Sequence, residues 1–271
     1  MKIVSFNVNS LRLRFHQLEA LIEKHEPDII GLQETKVPDL DFPIEQVCDM
    51  GYHVEFHGQK THYGVAMLSR LPFKSVIKGL PGDTEESQRR LITGSFETRN
   101  GNAITVINGY FPNGEKRDHP VKFPGKEKFY AELTAHLHTD YKNTDAIAVI
   151  GDFNICPVDE DIGLSADRIK AWLRSGHVSF LPEERDWFTT LQEFGLDDTY
   201  RIKYPNETGS LSWFDYRTRG FDRDPKSGLR IDHLLTTKPL TSTLIDSGMD
   251  YDIRGMEKPS DHCPVWSEFD Y

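Results

Sequence analysis

The chain opens strand, helix, strand, and that opening constrains its fold more than any other feature. The runs Ile3-Val4-Ser5-Phe6 and Ile29-Ile30-Gly31-Leu32 are short and mostly apolar, and they read as buried strands over residues 2–8 and 28–33. Between them apolar residues fall at 11, 15, 18 and 22, the spacing of one helix face, with Asn9 or Ser10 placed to cap it. Such a unit favours parallel strands with the helix laid over one sheet face, which predicts α/β layering. Further strands are expected at 52–56, 63–69, 91–97, 103–110, 146–151, 230–236 and 264–269. Helices are expected at 123–140, 166–175 and 183–194, the last opening on Pro182-Glu183-Glu184. So many strands with few helices predict two sheets packed face to face and flanked by helices. No repeat, low-complexity tract or Gly/Ser linker divides residues 1–271, which are expected to form one domain.

Polar clusters sit where the apolar runs stop or start. Asn7 follows the first run and Glu34 closes the second; Tyr110 ends Ile104 to Gly109, and Asp152 with Asn154 closes Ile147 to Ile150. Asp261 and His262 stand just before Pro264-Val265-Trp266. Strand ends gather distant stretches of chain at one sheet edge, so these groups can share a pocket suited to a divalent metal and phosphate.

Each cluster also has an ordinary structural account. Glu34 needs a partner when buried, either a hard cation or a salt bridge, and Asn7 can complete a metal shell or cap the helix. Asp152 and Asn154 alternate, which puts both side chains on one side of an extended backbone; there Asp152 can take a proton from water and Asn154 can donate to phosphate. An Asx-type turn is the competing account. Asp232 can orient His262 and raise its pKa, leaving open a charged imidazole that stabilises phosphate or a neutral one that acts as base. Asp261 is metal-capable, His233 reads as structural, and Tyr110 is either a phosphate contact or a core tyrosine. Trp213, Phe214, Leu229 and Ile231 can line an apolar pocket or simply pack the core.

Composition narrows the class. With 37% hydrophobic residues and no run of about 18 apolar residues, a sizeable core is expected and a membrane span is not. No secretory pattern follows Met1, so the cytoplasm is the expected compartment. Cys48, Cys156 and Cys263 are unpaired in spacing and read as small buried hydrophobes. The net charge of -11 argues against general coating of nucleic acid. The segment Arg217–Arg230 nevertheless holds five cations against two anions, and a bound divalent ion would add charge of the right sign.

Taken in order, Ser5-Phe6-Asn7, Gly31-Leu32-Gln33-Glu34-Thr35-Lys36, Gln88-Arg89-Arg90, Asn108-Gly109-Tyr110-Phe111-Pro112, Gly151-Asp152-Phe153-Asn154, Ser212-Trp213-Phe214-Asp215-Tyr216-Arg217, Leu229-Arg230-Ile231-Asp232 and Pro259-Ser260-Asp261-His262 closely resemble the bacterial exonuclease III family. That family of abasic-site endonucleases belongs to the endonuclease/exonuclease/phosphatase superfamily, with deoxyribonuclease I. The resemblance covers essentially residues 1–269. It implies a four-layer α/β sandwich and a Mg2+-dependent nuclease, with Mn2+ as an alternative ion. The implied substrate is double-stranded DNA, including abasic sites and blocked 3′ ends, and the implied state is a monomer. By the same resemblance Glu34 and Asn7 hold the metal, with Asp152, Asn154, Asp261 and His262 as further candidate ligands. Asp152 also handles the proton of the attacking water, Asn154 and Tyr110 meet the phosphate, and Asp232 supports His262. Arg90, Asn113, Trp213, Phe214, Arg217, Leu229 and Ile231 are the implied DNA contacts. The departures from the family pattern are conservative, at Phe153, Ile155-Cys156, His233 and Asn113; the last two bear on DNA contacts or rate. A superfamily member acting on another phosphoester, such as an inositol phosphate, and a non-catalytic binding module are the competing classes.

Overall fold

The computed structural model describes residues 1–271. The opening folds as expected: β1 (Lys2–Asn7) and β2 (Ile29–Gln33) pair in parallel, joined by α1 (Leu11–His25). Ten strands follow: β3 (His53–His57), β4 (Val65–Ser69), β5 (Ser75–Lys78), β6 (Leu91–Glu97), β7 (Ala103–Tyr110), β8 (Ile147–Asp152), β9 (Leu196–Asp198), β10 (Asp232–Thr237), β11 (Leu244–Met249) and β12 (Val265–Phe269). They form two six-stranded mixed sheets, ordered β11-β12-β1-β2-β4-β3 and β5-β6-β7-β8-β10-β9. Because β12 pairs antiparallel with β1, the two ends of the chain meet in one sheet.

Alternation along the strands divides the side chains between three apolar layers. Ile3, Ile29 and Met67 face Val106, Ala148 and Ile150 between the sheets. On the outer face of the first sheet, Val4, Phe6, Ile30 and Leu32 pack under α1 and α2 (Ile44–Asp49). On the outer face of the second, Ile107 and Val149 pack under α3 (Lys122–Asp140) and α5 (Pro182–Gln192), with α4 (Ala166–Arg174) preceding α5 in the chain. The result is a four-layer α/β sandwich. Strands β2, β8 and β10 are buried along their whole length, and each of their Ile, Leu and Val side chains contributes about 1.5–3 kcal/mol.

A polar staple crosses between the sheets behind the strand ends. Asn108 on β7 donates to the carbonyls of Leu32 and Ala66 at 3.0 and 2.9 Å, and Gln33 donates to the Asn108 carbonyl at 2.6 Å. Gly31 allows this approach, since a Cβ there would lie 2.7 Å from the Asn108 side chain.

Three strands are absent from the sequence reading, and β5, β9 and β11 are all sheet edges. Edge strands are short and half solvated, so neither a long apolar run nor clean alternation marks them. Four short helices also escape it: α2, α6 (Thr199–Lys203), α7 (Lys238–Thr241) and α8 (Tyr251–Arg254). The expected side-chain cap on α1 is not formed; the Ser10 and Leu11 N–H groups donate instead to the Glu34 and Thr35 carbonyls. Cys156 and Cys263 are buried as expected, but Cys48 is exposed on the short α2, where its side chain has no second layer above it.

Candidate active site

The ends of β1, β2, β7, β8 and β10 lie side by side, and the polar residues that close them gather there. Asn7 makes the central link. Its Nδ2 donates to Glu34 Oε1 at 3.0 Å and to Asp152 Oδ2 at 2.9 Å, so one amide from the first sheet fixes carboxylates from both. Its Oδ1 accepts from the Asn9 N–H at 3.0 Å, which sets the orientation of the amide. Glu34 leaves β2 with φ 49°, turning its carboxylate back over the strand ends. Asp152 is opposite Tyr110 in the β7–β8 register and opposite Asp232 in the β8–β10 register.

His262 completes the group. Its Nδ1 lies 2.8 Å from Asp232 Oδ2 and its Nε2 3.8 Å from Asp152 Oδ2. Glu34, Asp152 and His262 each offer a ligand atom within 4.8 Å of the others. Burial opposes a charge on His262, but Asp232 and then Asp152 outweigh it and lift the imidazole to about 10. Burial pushes Asp152 up to about 7, with Asp232 and Glu34 adding to the rise and His262 opposing it. Burial, Glu34 and Asp152 hold the Tyr110 phenol well above its usual range, so it stays a neutral donor.

These residues floor a cavity of about 370 Å³. One wall is apolar, with Trp213, Leu229 and Ile231 facing Trp172 and Val178. Four carboxylates, Glu34, Asp152, Asp232 and Asp261, are met by Lys36, 2.9 Å from Glu34, and by His262. That surplus of carboxylate charge, half of it buried, fits a divalent cation.

Several expected side chains sit differently. Asn154 is not on an extended backbone: it has φ 55° and donates its N–H to Asp152 Oδ1, so the Asx-type turn is real and the pair still shares the cavity. Asp261 lies outside the three-residue cluster, its oxygens accepting from Asn9 Nδ2 and Trp213 Nε1 at 2.8 and 3.0 Å. Phe214 turns away from the cavity into a core with Leu211 and Cys263. Arg90 is enclosed between Tyr63 and Tyr110, 4.3 and 4.7 Å from their ring centroids, and donates to the Tyr110 carbonyl at 3.0 Å. It therefore props Tyr110. Asn113 donates to Asn154 Oδ1 at 2.8 Å and steadies that amide, whereas Arg217 stands exposed on the rim. His233 is structural, its Nε2 2.9 Å from the Ile155 carbonyl.

The sequence reading missed Lys36, Asn9 and the wall formed by Trp172, His177 and Ser179. Lys36 lies within the Glu34 motif and was findable there. Nothing in the sequence links the 172–179 segment to the strand ends.

Fold and site together define a divalent-metal-dependent phosphoesterase with deoxyribonuclease I-like architecture. The chain belongs to the endonuclease/exonuclease/phosphatase family, whose pattern matches residues 4–262. It is similar to exodeoxyribonuclease III of Haemophilus influenzae, 52% identical over 269 residues that span 99% of this chain and 100% of that one. Among solved structures it is similar to the Neisseria 3′ phosphatase NExo bound to product DNA hairpin, at TM-score 0.89 and 38% identity over the whole of both chains. It is similar also to an AP endonuclease from Archaeoglobus fulgidus, at TM-score 0.90 and 34% identity, again over the whole of both chains.

Proposed function

We propose that the protein is a Mg2+-dependent DNA-repair nuclease, with Mn2+ as an alternative ion. It removes nucleotides 3′ to 5′ from duplex DNA, incises on the 5′ side of abasic sites and clears 3′ phosphates and other 3′ blocks. It works as a cytoplasmic monomer, with residues 1–271 forming one catalytic domain. The observation that carries this reading is the Asn7 amide joining Glu34 to Asp152 beside a His262 backed by Asp232. The cation Arg217 at the cavity edge and the apolar wall at Trp213 favour DNA over a small phosphoester.

Glu34 and Asp152 would hold the ion, and Asn7 would fix both carboxylates. When bound, the ion supplies Lewis acidity to the phosphate oxygens. Asp152 takes a proton from the attacking water. A new P–O bond forms and the bond to the 3′ oxygen breaks; that oxygen leaves with the electron pair and takes a proton from solvent water to become the hydroxyl. Charged His262 and neutral Tyr110 donate to the phosphate oxygens as charge builds there. Asn154 Nδ2 spends one hydrogen on the Phe111 carbonyl at 3.0 Å, which leaves the other for phosphate.

The test compares an abasic duplex, a recessed 3′ end, a 3′-phosphate end, single strands and an inositol polyphosphate, each with Mg2+, Mn2+ or EDTA. Cleavage of the three duplexes in Mg2+ and silence in EDTA are expected. Turnover of the inositol polyphosphate alone, or metal-free cleavage, would overturn the assignment.

A further inference from the structure

Beyond the catalytic cavity lies a second one of about 330 Å³, sharing Asp215 with it and lined also by Tyr216, Arg219, Phe221, Arg254 and Pro259. Arg254 is 5% exposed, and it differs from the two other buried arginines. Arg230 pairs with Asp161 and Asp198, and Arg90 donates to two oxygens. The Arg254 guanidinium has no carboxylate or carbonyl partner, and its Nε is fully enclosed without an acceptor. Only aromatic rings face it, with the Phe221, Phe214 and Tyr216 centroids at 4.7, 5.6 and 5.8 Å. Ring faces offset part of the cost of burying that charge but satisfy none of its N–H donors. The acids at the cavity are already engaged: Asp222 accepts from Arg219 at 2.9 Å and Asp215 from the Arg217 N–H at 3.1 Å. The terminal guanidinium nitrogens, which make no hydrogen bond within the protein, can take an anion with several acceptor oxygens.

We propose that this cavity is a phosphate subsite, in which Arg254 receives a backbone phosphate of the DNA strand that passes Asp215 on leaving the catalytic cavity. The inference rests on the nuclease reading for the identity of the strand. It gives the cationic segment Arg217–Arg230 a purpose, since Arg219, Phe221 and Lys226 build and flank the cavity.

The test measures affinity for an uncleaved duplex in EDTA across a salt series, for the unmodified protein, Arg254→Gln and Arg254→Lys, with thermal midpoints alongside. Each phosphate contact contributes about 0.9 to the slope of log affinity against log salt. Arg254→Gln should lower the slope by about that amount, and Arg254→Lys should keep it. An unchanged slope in a folded Arg254→Gln would overturn the subsite. If inorganic phosphate binds the unmodified protein but not Arg254→Gln while duplex slopes agree, the site takes free phosphate and the DNA assignment fails. If the unmodified protein binds no duplex in this series and cleaves none in Mg2+, the nuclease reading itself falls. Should Arg254→Gln not fold, a duplex complex of the unmodified protein decides, with a phosphate oxygen expected within about 3 Å of an Arg254 nitrogen and solvent alone refuting it.

Discussion

Removing the Lys126 ammonium should cost more stability than any surface change in the molecule. Lys126 and Glu184 are fully buried, with Nζ 2.5 Å from Glu184 Oε1 and 2.8 Å from the Asn154 carbonyl. Glu184 Oε2 in turn accepts from the Ser179 and Leu181 N–H groups at 2.7 and 2.9 Å. Lys126→Met keeps the side-chain volume but leaves the Glu184 carboxylate buried beside no cation. Breaking one partner of such a pair costs about 3–5 kcal/mol, whereas the same pair exposed at a surface would be worth about 0–1. For a domain of this size that lowers the thermal midpoint by roughly 6–15 °C. Adding Glu184→Gln removes the stranded charge and keeps an acceptor for one backbone N–H, so the double variant should be more stable than the sum of the single losses by about 2–3 kcal/mol. Urea unfolding of the four proteins measures the coupling. A loss under about 1 kcal/mol for Lys126→Met, or strictly additive losses, would show that the pair is not the buried linkage its geometry indicates. The linkage also reaches the site, because it holds the Asn154 carbonyl and the 179–181 backbone that walls the cavity. Recovery of stability in the double variant without recovery of kcat would locate that second role at the hydrogen bond from Lys126 to the Asn154 carbonyl, which methionine cannot make.

Further outcomes follow from single groups. Asp152→Asn removes the proton acceptor while preserving shape, so cleavage in Mg2+ should fall by at least about 100-fold while duplex binding stays measurable; near-normal turnover would refute the role. Trp213→Ala opens the apolar wall and should weaken abasic-site incision several-fold more than release of 3′ phosphate, and equal losses would refute a pocket for the base-free sugar. His57 is 7% exposed and held near 4, first by burial and then by Arg89. Its folded value lies below the unfolded 6.5, so the unfolded chain takes the proton first and stability drains as pH falls from about 6.5 towards 4. Unfolding at pH 7 and pH 5 should show a loss about 1–2 kcal/mol smaller in His57→Gln than in the parent, and identical losses would refute the contribution.

What the sequence revealed and what it hid separate along physical lines. The central strands were legible because burial on both faces leaves an apolar run, as in Ile147–Ile150, and Glu34 and Asp152 were legible because each ends such a run, while Asp232 and Asp261 stand before one. The 212–231 segment carried no such pattern. There Trp213 forms isolated bridges to Leu229 and His262, and the Phe214 N–H donates to the Asp261 carbonyl. Adjacent side chains on that extended stretch point opposite ways, which sends Trp213 into the cavity and Phe214 into the core. A pocket assignment naming both neighbours therefore had to fail for one of them. The packing of Arg90 was hidden for a different reason. A cation close to a DNA motif reads as a phosphate contact until folding brings Tyr63 and Tyr110 to either side of it, and a ring face accepts a guanidinium from sequence positions that no local pattern connects. Arg254 belongs to the same class but ends without the carbonyl acceptor that Arg90 has, and that difference marks one guanidinium as a prop and the other as a binding group.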